Sequence, residues 1–162
     1  MHIPDKISKW IRAKNWTLHE HQIRMFKSSE CSSQLLIAPT GSGKTLAGFL
    51  PTIADLYLNP SQKLHTLYIS PLKALASDIK RNLETPIKEL ELKISVEDRT
   101  GDTKQSIKKK QRVIPPNILL TTPESLALLM SYPEAPSIFS SLKRIIVDEI
   151  HAITESKRGD QL

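Results

Sequence analysis

The sequence predicts an α/β fold, a mostly parallel central sheet with helices on both faces. Three observations predict it. Apolar runs of strand length recur along the chain without in-out alternation, as strands buried on both faces require. Stretches with apolar residues three and four apart lie between them, which is the order of βαβ units. A turn carrying two glycines follows directly on the first apolar run, at the strand end where parallel sheets place their ligand loops. The 162 residues suffice for one domain with a core, and 39% hydrophobic with 25% charged residues excludes a disordered or fibrous chain.

In chain order, Ile7, Trp10 and Ile11 stand at i, i+3 and i+4 and predict a short amphipathic helix in an N-terminal helical extension, residues 1–15. Trp10 shares that face and reads as core rather than as a base-stacking platform. Residues 34–38 (Gln-Leu-Leu-Ile-Ala) predict the first strand. The helical pattern returns with Leu46, Phe49 and Leu50, and Pro51 is expected to kink or divide that helix. Residues 66–69 predict a second strand, leading through Pro71 into a helix with Leu72, Leu75, Ile79 and Leu83. Residues 94–96 read as a weaker third strand, followed by a polar helix over about 102–111. Residues 118–120 form the fourth strand. Thr122 then reads as an N-cap with Pro123 at the first position of a helix through Leu126, Leu129 and Met130. Residues 144–147 are the fifth, a buried strand closing at Asp148-Glu149.

Composition narrows the function classes. No apolar stretch reaches the ~20 residues of a membrane span, and MHIPDKISKW carries no apolar run behind its charges. The single Cys31 excludes an internal disulfide and a cysteine zinc cluster, and fits a reducing, cytoplasmic setting. His19 and His21 have no further ligand residues nearby, so no metal is assigned to them. Net charge +6 permits a polyanionic partner without demanding one. The basic run from Lys104 to Arg112 reads first as a solvated helix face. Aromatic residues make up only 5%, so a grip on nucleic acid would be mainly electrostatic and weaken with salt.

Two motifs carry chemistry. In Ala38-Pro39-Thr40-Gly41-Ser42-Gly43-Lys44-Thr45, consecutive backbone N–H groups and the following helix N-terminus form an anion cradle. Gly41 and Gly43 let the main chain approach phosphate, Lys44 reaches β- and γ-phosphates, and the Thr45 hydroxyl ligates Mg²⁺. The usual pattern opens with glycine where this chain has Ala38. The second motif is the acidic end of the fifth strand. Asp148 is placed to hold Mg²⁺ through its water shell, and Glu149 to polarise an attacking water. ATP and Mg²⁺ are the cofactors this pair implies.

Asp148-Glu149-Ile150-His151 is a DExH motif, and with the phosphate loop it resembles the first RecA-like domain of a superfamily-two helicase. Residues 70–76, 99–103, 119–126 and 156–162 make the chain similar to the large helicase-related (Lhr-type) DNA helicases, above all their ligase-associated DNA-damage-response branch. The resemblance runs from about Trp16 to Leu162 and implies a three-layer RecA-like P-loop NTPase domain. It implies that Gln22 reads the adenine edge, an ordinary polar helix residue being the equal alternative. It also implies that Pro71, Lys73, Arg99, Gly101, Thr121 and Thr122 line a nucleic-acid track, and that His151 couples the nucleotide site to neighbouring motifs. Hydroxyls, backbone N–H groups and cations at strand ends suit sequence-blind contacts to phosphate.

Members of the family continue into a second RecA-like domain with an arginine finger, so residues 1–162 are expected to be an ATP-binding domain cut at its C-terminal end, with little or no ATPase activity alone. The expected partners are single-stranded or tailed duplex DNA, with RNA left open, and a DNA ligase or nuclease through the branch resembled. Translocation from three-prime to five-prime is implied in the same way. Two alternatives stand beside this reading. One is another P-loop enzyme, although a transporter's Leu-Ser-Gly-Gly-Gln signature and a kinase's arginine-rich lid are not visible. The other is a binding module without turnover.

Overall fold

Ile7 and Ile11, four residues apart, are both buried in α1 (Asp5–Ala13), the amphipathic helix their spacing predicts. The computed structural model describes residues 3–28, 33–39 and 41–154, with only the backbone at Ile153 and Thr154. They fall into two compact units, Met1–Pro60 with Lys88–Leu92, and Ser61–Ile87 with Lys93–Leu162.

In the first unit, α1 is tied to Glu89: Trp10 Nε1 donates to its Oε2 at 2.6 Å and Lys14 Nζ to its Oε1 at 2.6 Å. Trp10 is therefore half-buried with its polar edge engaged, and it meets Trp16 edge to face at 5.4 Å. A second helix, α2 (Glu20–Ser28), buries Gln22 and Phe26 on one face. The third, α3 (Lys44–Leu58), runs through Pro51, so the expected division does not occur. A mid-helix proline costs about 3 kcal/mol. Here Phe49, Leu50, Ile53 and Leu56 are buried around it, and full burial stabilises by about 1.5–3 kcal/mol for each such side chain.

Residues 33–39 do not form the predicted first strand. Leu35 is 73% and Ile37 87% exposed. An apolar run becomes a strand only where a neighbour supplies a ladder and a face to bury against. This run is fastened to α2 instead, with Gln34 accepting from Ser28 Oγ at 3.0 Å and donating to the Met25 carbonyl at 3.4 Å.

The second unit contains the sheet: β1 (Thr66–Ile69), β2 (Val96–Arg99), β3 (Ile118–Thr121) and β4 (Arg144–Val147), in the order β2-β3-β1-β4. All three pairings are parallel. The helices are α4 (Lys73–Glu89), of which Lys88 and Glu89 are counted with the first unit, α5 (Gln105–Val113), α6 (Pro123–Met130), α7 (Ala135–Phe139) and α8 (Ile150–Thr154). β1 and β3 are buried along their whole length, as continuous apolar runs predict. On one face Leu67, Ile69 and Leu119 pack with Leu126, Leu129 and Ile138; Tyr68, Ile118 and Leu120, which point the other way, are equally buried.

Two strands differ from expectation. β2 starts two residues late because the Asn117 side chain binds Ser95, accepting from its N–H at 2.9 Å, so the ladder opens at Val96 opposite Ile118. β4 is an edge strand rather than a buried one: Ile145 is 57% and Val147 37% exposed, since β1 pairs it on one side only.

Candidate functional site

The phosphate loop lies in the first unit. Gly41 and Gly43 both have left-handed backbones, with φ of 80° and 76°, a region open to glycine but strained for other residues. Gly43 is the N-cap of α3 and no side chain caps that end. The first amides of α3, which have no intrahelical acceptor, are thus without a capping side chain, and Lys44 and Thr45 are the first two helical residues. Thr40 lies outside the described residues. Ser42 Oγ is buried with no hydrogen-bond partner, an atom that suits a phosphate oxygen.

Gln22 lies beneath this loop. Its Nε2 donates to the Gly43 carbonyl at 3.1 Å and its Oε1 accepts from the His19 N–H at 2.8 Å. The residue is 3% exposed, and both ends of its carboxamide are engaged at the loop and at the start of α2. A Cβ at Gly43 would stand 2.5 Å from Gln22 Nε2.

The other candidates gather at one edge of the sheet in the second unit. The register sets Arg99, Thr121, Ile69 and Val147 in one row, so the segments that follow emerge side by side at the carboxyl ends of the strands. Asp148 continues the ladder, its N–H donating to the Ile69 carbonyl at 2.9 Å. Its Oδ1 accepts from the Glu149 N–H at 2.9 Å and its Oδ2 from Tyr68 Oη at 2.7 Å. Glu149 has a left-handed backbone, φ 49°, and its Oε2 lies 3.4 Å from Nε2 of the exposed His151. Burial, then the bond to Asp148, pushes the Tyr68 phenol far above its ordinary pKa. Among the described residues no three His, Cys, Asp or Glu side chains gather to hold a metal. A single carboxylate such as that of Asp148 suits Mg²⁺, which keeps waters and takes substrate phosphates as ligands.

The track residues divide. Lys73 is exposed and grips Asp102, with Nζ 2.9 and 3.0 Å from the two carboxylate oxygens. Gly101 is exposed beside it, its carbonyl accepting from Lys108 Nζ at 3.1 Å. Pro71, Thr121 and Thr122 are buried, leaving backbone groups as their means of contact. Thr122 is the predicted cap, its Oγ1 accepting from the Ser125 N–H at 3.4 Å. The Arg99 side chain does not face a surface: at 1% exposure it donates to the Lys108 carbonyl at 3.0 Å and to Gln111 Oε1 at 3.3 Å. Its guanidinium also stands 6.0 Å from the centre of the Tyr132 ring. Burial lowers its pKa, as does nearby Arg112, yet a guanidinium stays charged.

Tyr68, and Ser70 beside it, are the site residues the sequence did not single out. An aromatic inside an apolar strand reads as packing, and only the register with β4 brings its hydroxyl to Asp148.

The DEAD/DEAH box helicase family pattern matches residues 19–162. The chain belongs to that family. Among curated proteins, this helicase domain is 38% identical over 99% of its length to ATP-dependent helicase Lhr-Core protein 2 of Thermococcus barophilus, of which it covers 20%. It is 41% identical over 96% of its length to ATP-dependent helicase Lhr-Core of Methanocaldococcus jannaschii, again covering 20% of that protein. Among solved structures, the Mycobacterium smegmatis helicase Lhr bound to single-stranded DNA and AMP-PNP superposes with a TM-score of 0.88 at 38% identity, over 98% of this chain and 22% of that one. The helicase chain described here thus spans about a fifth of the length of these relatives, and its fold is the RecA-like one. The predicted fold class and the Lhr-type resemblance both hold. Among the described residues no helix is long and apolar enough to cross a membrane.

Proposed function

We propose that residues 1–162 form the ATP-binding domain of an ATP-dependent DNA helicase, with residues 1–15 as its N-terminal helical extension, and that the domain works in the cytoplasm. The loop at Gly41–Thr45 takes the phosphates of ATP, Lys44 neutralises the β and γ groups, and Asp148 with Thr45 holds Mg²⁺. When bound, that ion offsets the charge of the phosphates. Glu149 orients water and accepts its proton, and His151, within reach of the Glu149 carboxylate, passes the state of the site to neighbouring segments. The observation that carries the reading is the uncapped N-terminus of α3 under two left-handed glycines, with the Ser42 hydroxyl buried and unmatched beside it.

The second site is a phosphate-binding row along the carboxyl edge of the sheet. Lys73, Gly101 and the backbones near Pro71, Arg99, Thr121 and Thr122 take the backbone of single-stranded or tailed duplex DNA. The relative solved with single-stranded DNA supports this choice. A second RecA-like domain supplies an arginine finger, worth roughly 10³–10⁵ in rate in related enzymes. A DNA ligase or nuclease is the partner class that the ligase-associated branch implies.

Titrating a fluorescent ATP analogue and labelled single strands of DNA and RNA separately tests both sites. Wild type should bind nucleotide, and Lys44→Ala should lose that binding at least tenfold while DNA binding survives and weakens with salt. Equal nucleotide affinity in the two proteins refutes the loop assignment, and a preference for RNA over DNA refutes the substrate. Robust DNA-stimulated phosphate release by these 162 residues alone would contradict the need for a second domain.

A further inference from the structure

We propose that Tyr68 is a positioning residue that fixes the Asp148 carboxylate in the orientation in which it meets the hydrated metal; this rests on the reading of Asp148 just given. Tyr68 is 1% exposed in β1, opposite Ile146 of β4. Phenylalanine would fill the same space, so packing alone does not call for the hydroxyl. A buried hydroxyl is unfavourable unless it is bonded. This one donates to Asp148 Oδ2 at 2.7 Å.

The geometry clamps the carboxylate from both sides. Oδ2 is held by a side chain from the strand next to β4, and Oδ1 by the Glu149 N–H at 2.9 Å. Hydrogen bonds to an ionised acceptor are roughly twice as strong as neutral ones, and each oxygen keeps lone pairs for the water shell of a cation. Glu149 itself adopts φ 49°, a conformation that costs a residue with a Cβ. The bond from Tyr68 thus steadies both acidic residues. It holds Asp148 directly and Glu149 through the amide that Asp148 receives.

The test compares wild type with Tyr68→Phe in the 162-residue chain, using a fluorescent non-hydrolysable ATP analogue with EDTA and then with Mg²⁺. Affinity in EDTA should be unchanged, because the loop and Lys44 hold the phosphates. The gain on adding Mg²⁺ should shrink about tenfold, as for one lost bond to a charged group. A merely structural defect would lower both affinities together. Amide exchange without nucleotide is the second readout: the Glu149 N–H should exchange about tenfold faster in Tyr68→Phe, with the β3 amides unchanged. Asp148→Asn is the control, losing the Mg²⁺ gain by removing the ligand itself. An identical Mg²⁺ gain in Tyr68→Phe and wild type, or unaltered or uniformly raised exchange, overturns the proposal. If wild type binds no nucleotide, the nucleotide reading has failed, and exchange at Glu149 alone decides whether Tyr68 holds the acidic turn.

Discussion

Replacing Gly43 with alanine tests whether the phosphate loop is built upon Gln22. The backbone at φ 76° costs a residue with a Cβ about 1–2 kcal/mol. The new methyl would sit 2.5 Å from Gln22 Nε2, a contact no structure tolerates, so the carboxamide must move. Moving it breaks the 3.1 Å bond to the Gly43 carbonyl in a side chain that is 3% exposed. A buried polar group left unmatched costs about 1–3 kcal/mol, which brings the expected loss to about 2–5 kcal/mol. Each kcal/mol lowers Tm by about 2–4 °C in a chain of this size. Urea denaturation of wild type, Gly43→Ala, Gln22→Ala and the double variant separates the contributions. With Gln22 truncated there is no carboxamide to displace, and the glycine substitution should cost only the backbone share, about 1–2 kcal/mol. An equal cost in both backgrounds would refute the brace.

Other perturbations give equally definite outcomes. Arg99→Ala removes the largest fully buried side chain among the described residues and leaves the Lys108 carbonyl and Gln111 Oε1 without this donor; a loss of about 3–5 kcal/mol in thermal unfolding is expected. Arg99→Lys should not restore it, because an ammonium cannot reproduce the guanidinium fork. Asp102→Asn releases Lys73 and should tighten single-stranded DNA binding several-fold, with a salt slope steeper by roughly one; unchanged binding would show that Lys73 does not reach phosphate. Glu89 is held below its ordinary pKa of 4.5 by bonds from Lys14 and then Trp10. A group whose folded pKa is depressed lends stability above its unfolded value and loses it as pH falls. Trp10 fluorescence in a Trp16→Phe chain should therefore shift only on acidification below about pH 4.5, and Glu89→Gln should abolish the shift.

What the sequence made legible was chemistry that acts locally. Thr122 caps α6 because a hydroxyl three residues before an amide is a short-range fact, and Ile69 and Val147 end their strands where the apolar runs stop. Gly41 and Gly43 marked the turn before α3 for the same reason, and both prove left-handed. Properties set by distant partners were hidden. Arg99, read as a ligand of phosphate, is turned inward because Gln111 and Tyr132 enclose it. Leu35 and Ile37 looked like strand residues, yet a strand needs a neighbour that no local pattern reveals. The helix around Gln22 was named without bounds because its buried face joins Phe26 to a glutamine, and a polar residue on that face breaks the apolar spacing. Tyr68 was hidden by its own apolar ring.

The order of the sheet also governs how it can assemble. β1 is made before every other strand, yet Thr66 finds its ladder partners only at Ile118 and Arg144, far along the chain. The pair nearest in sequence is β2 with β3, so pairing should begin at that margin and reach β1 afterwards. Until then Leu67, Tyr68 and Ile69 remain without cover on a nascent polypeptide. This invites slow maturation and chaperone attendance during synthesis.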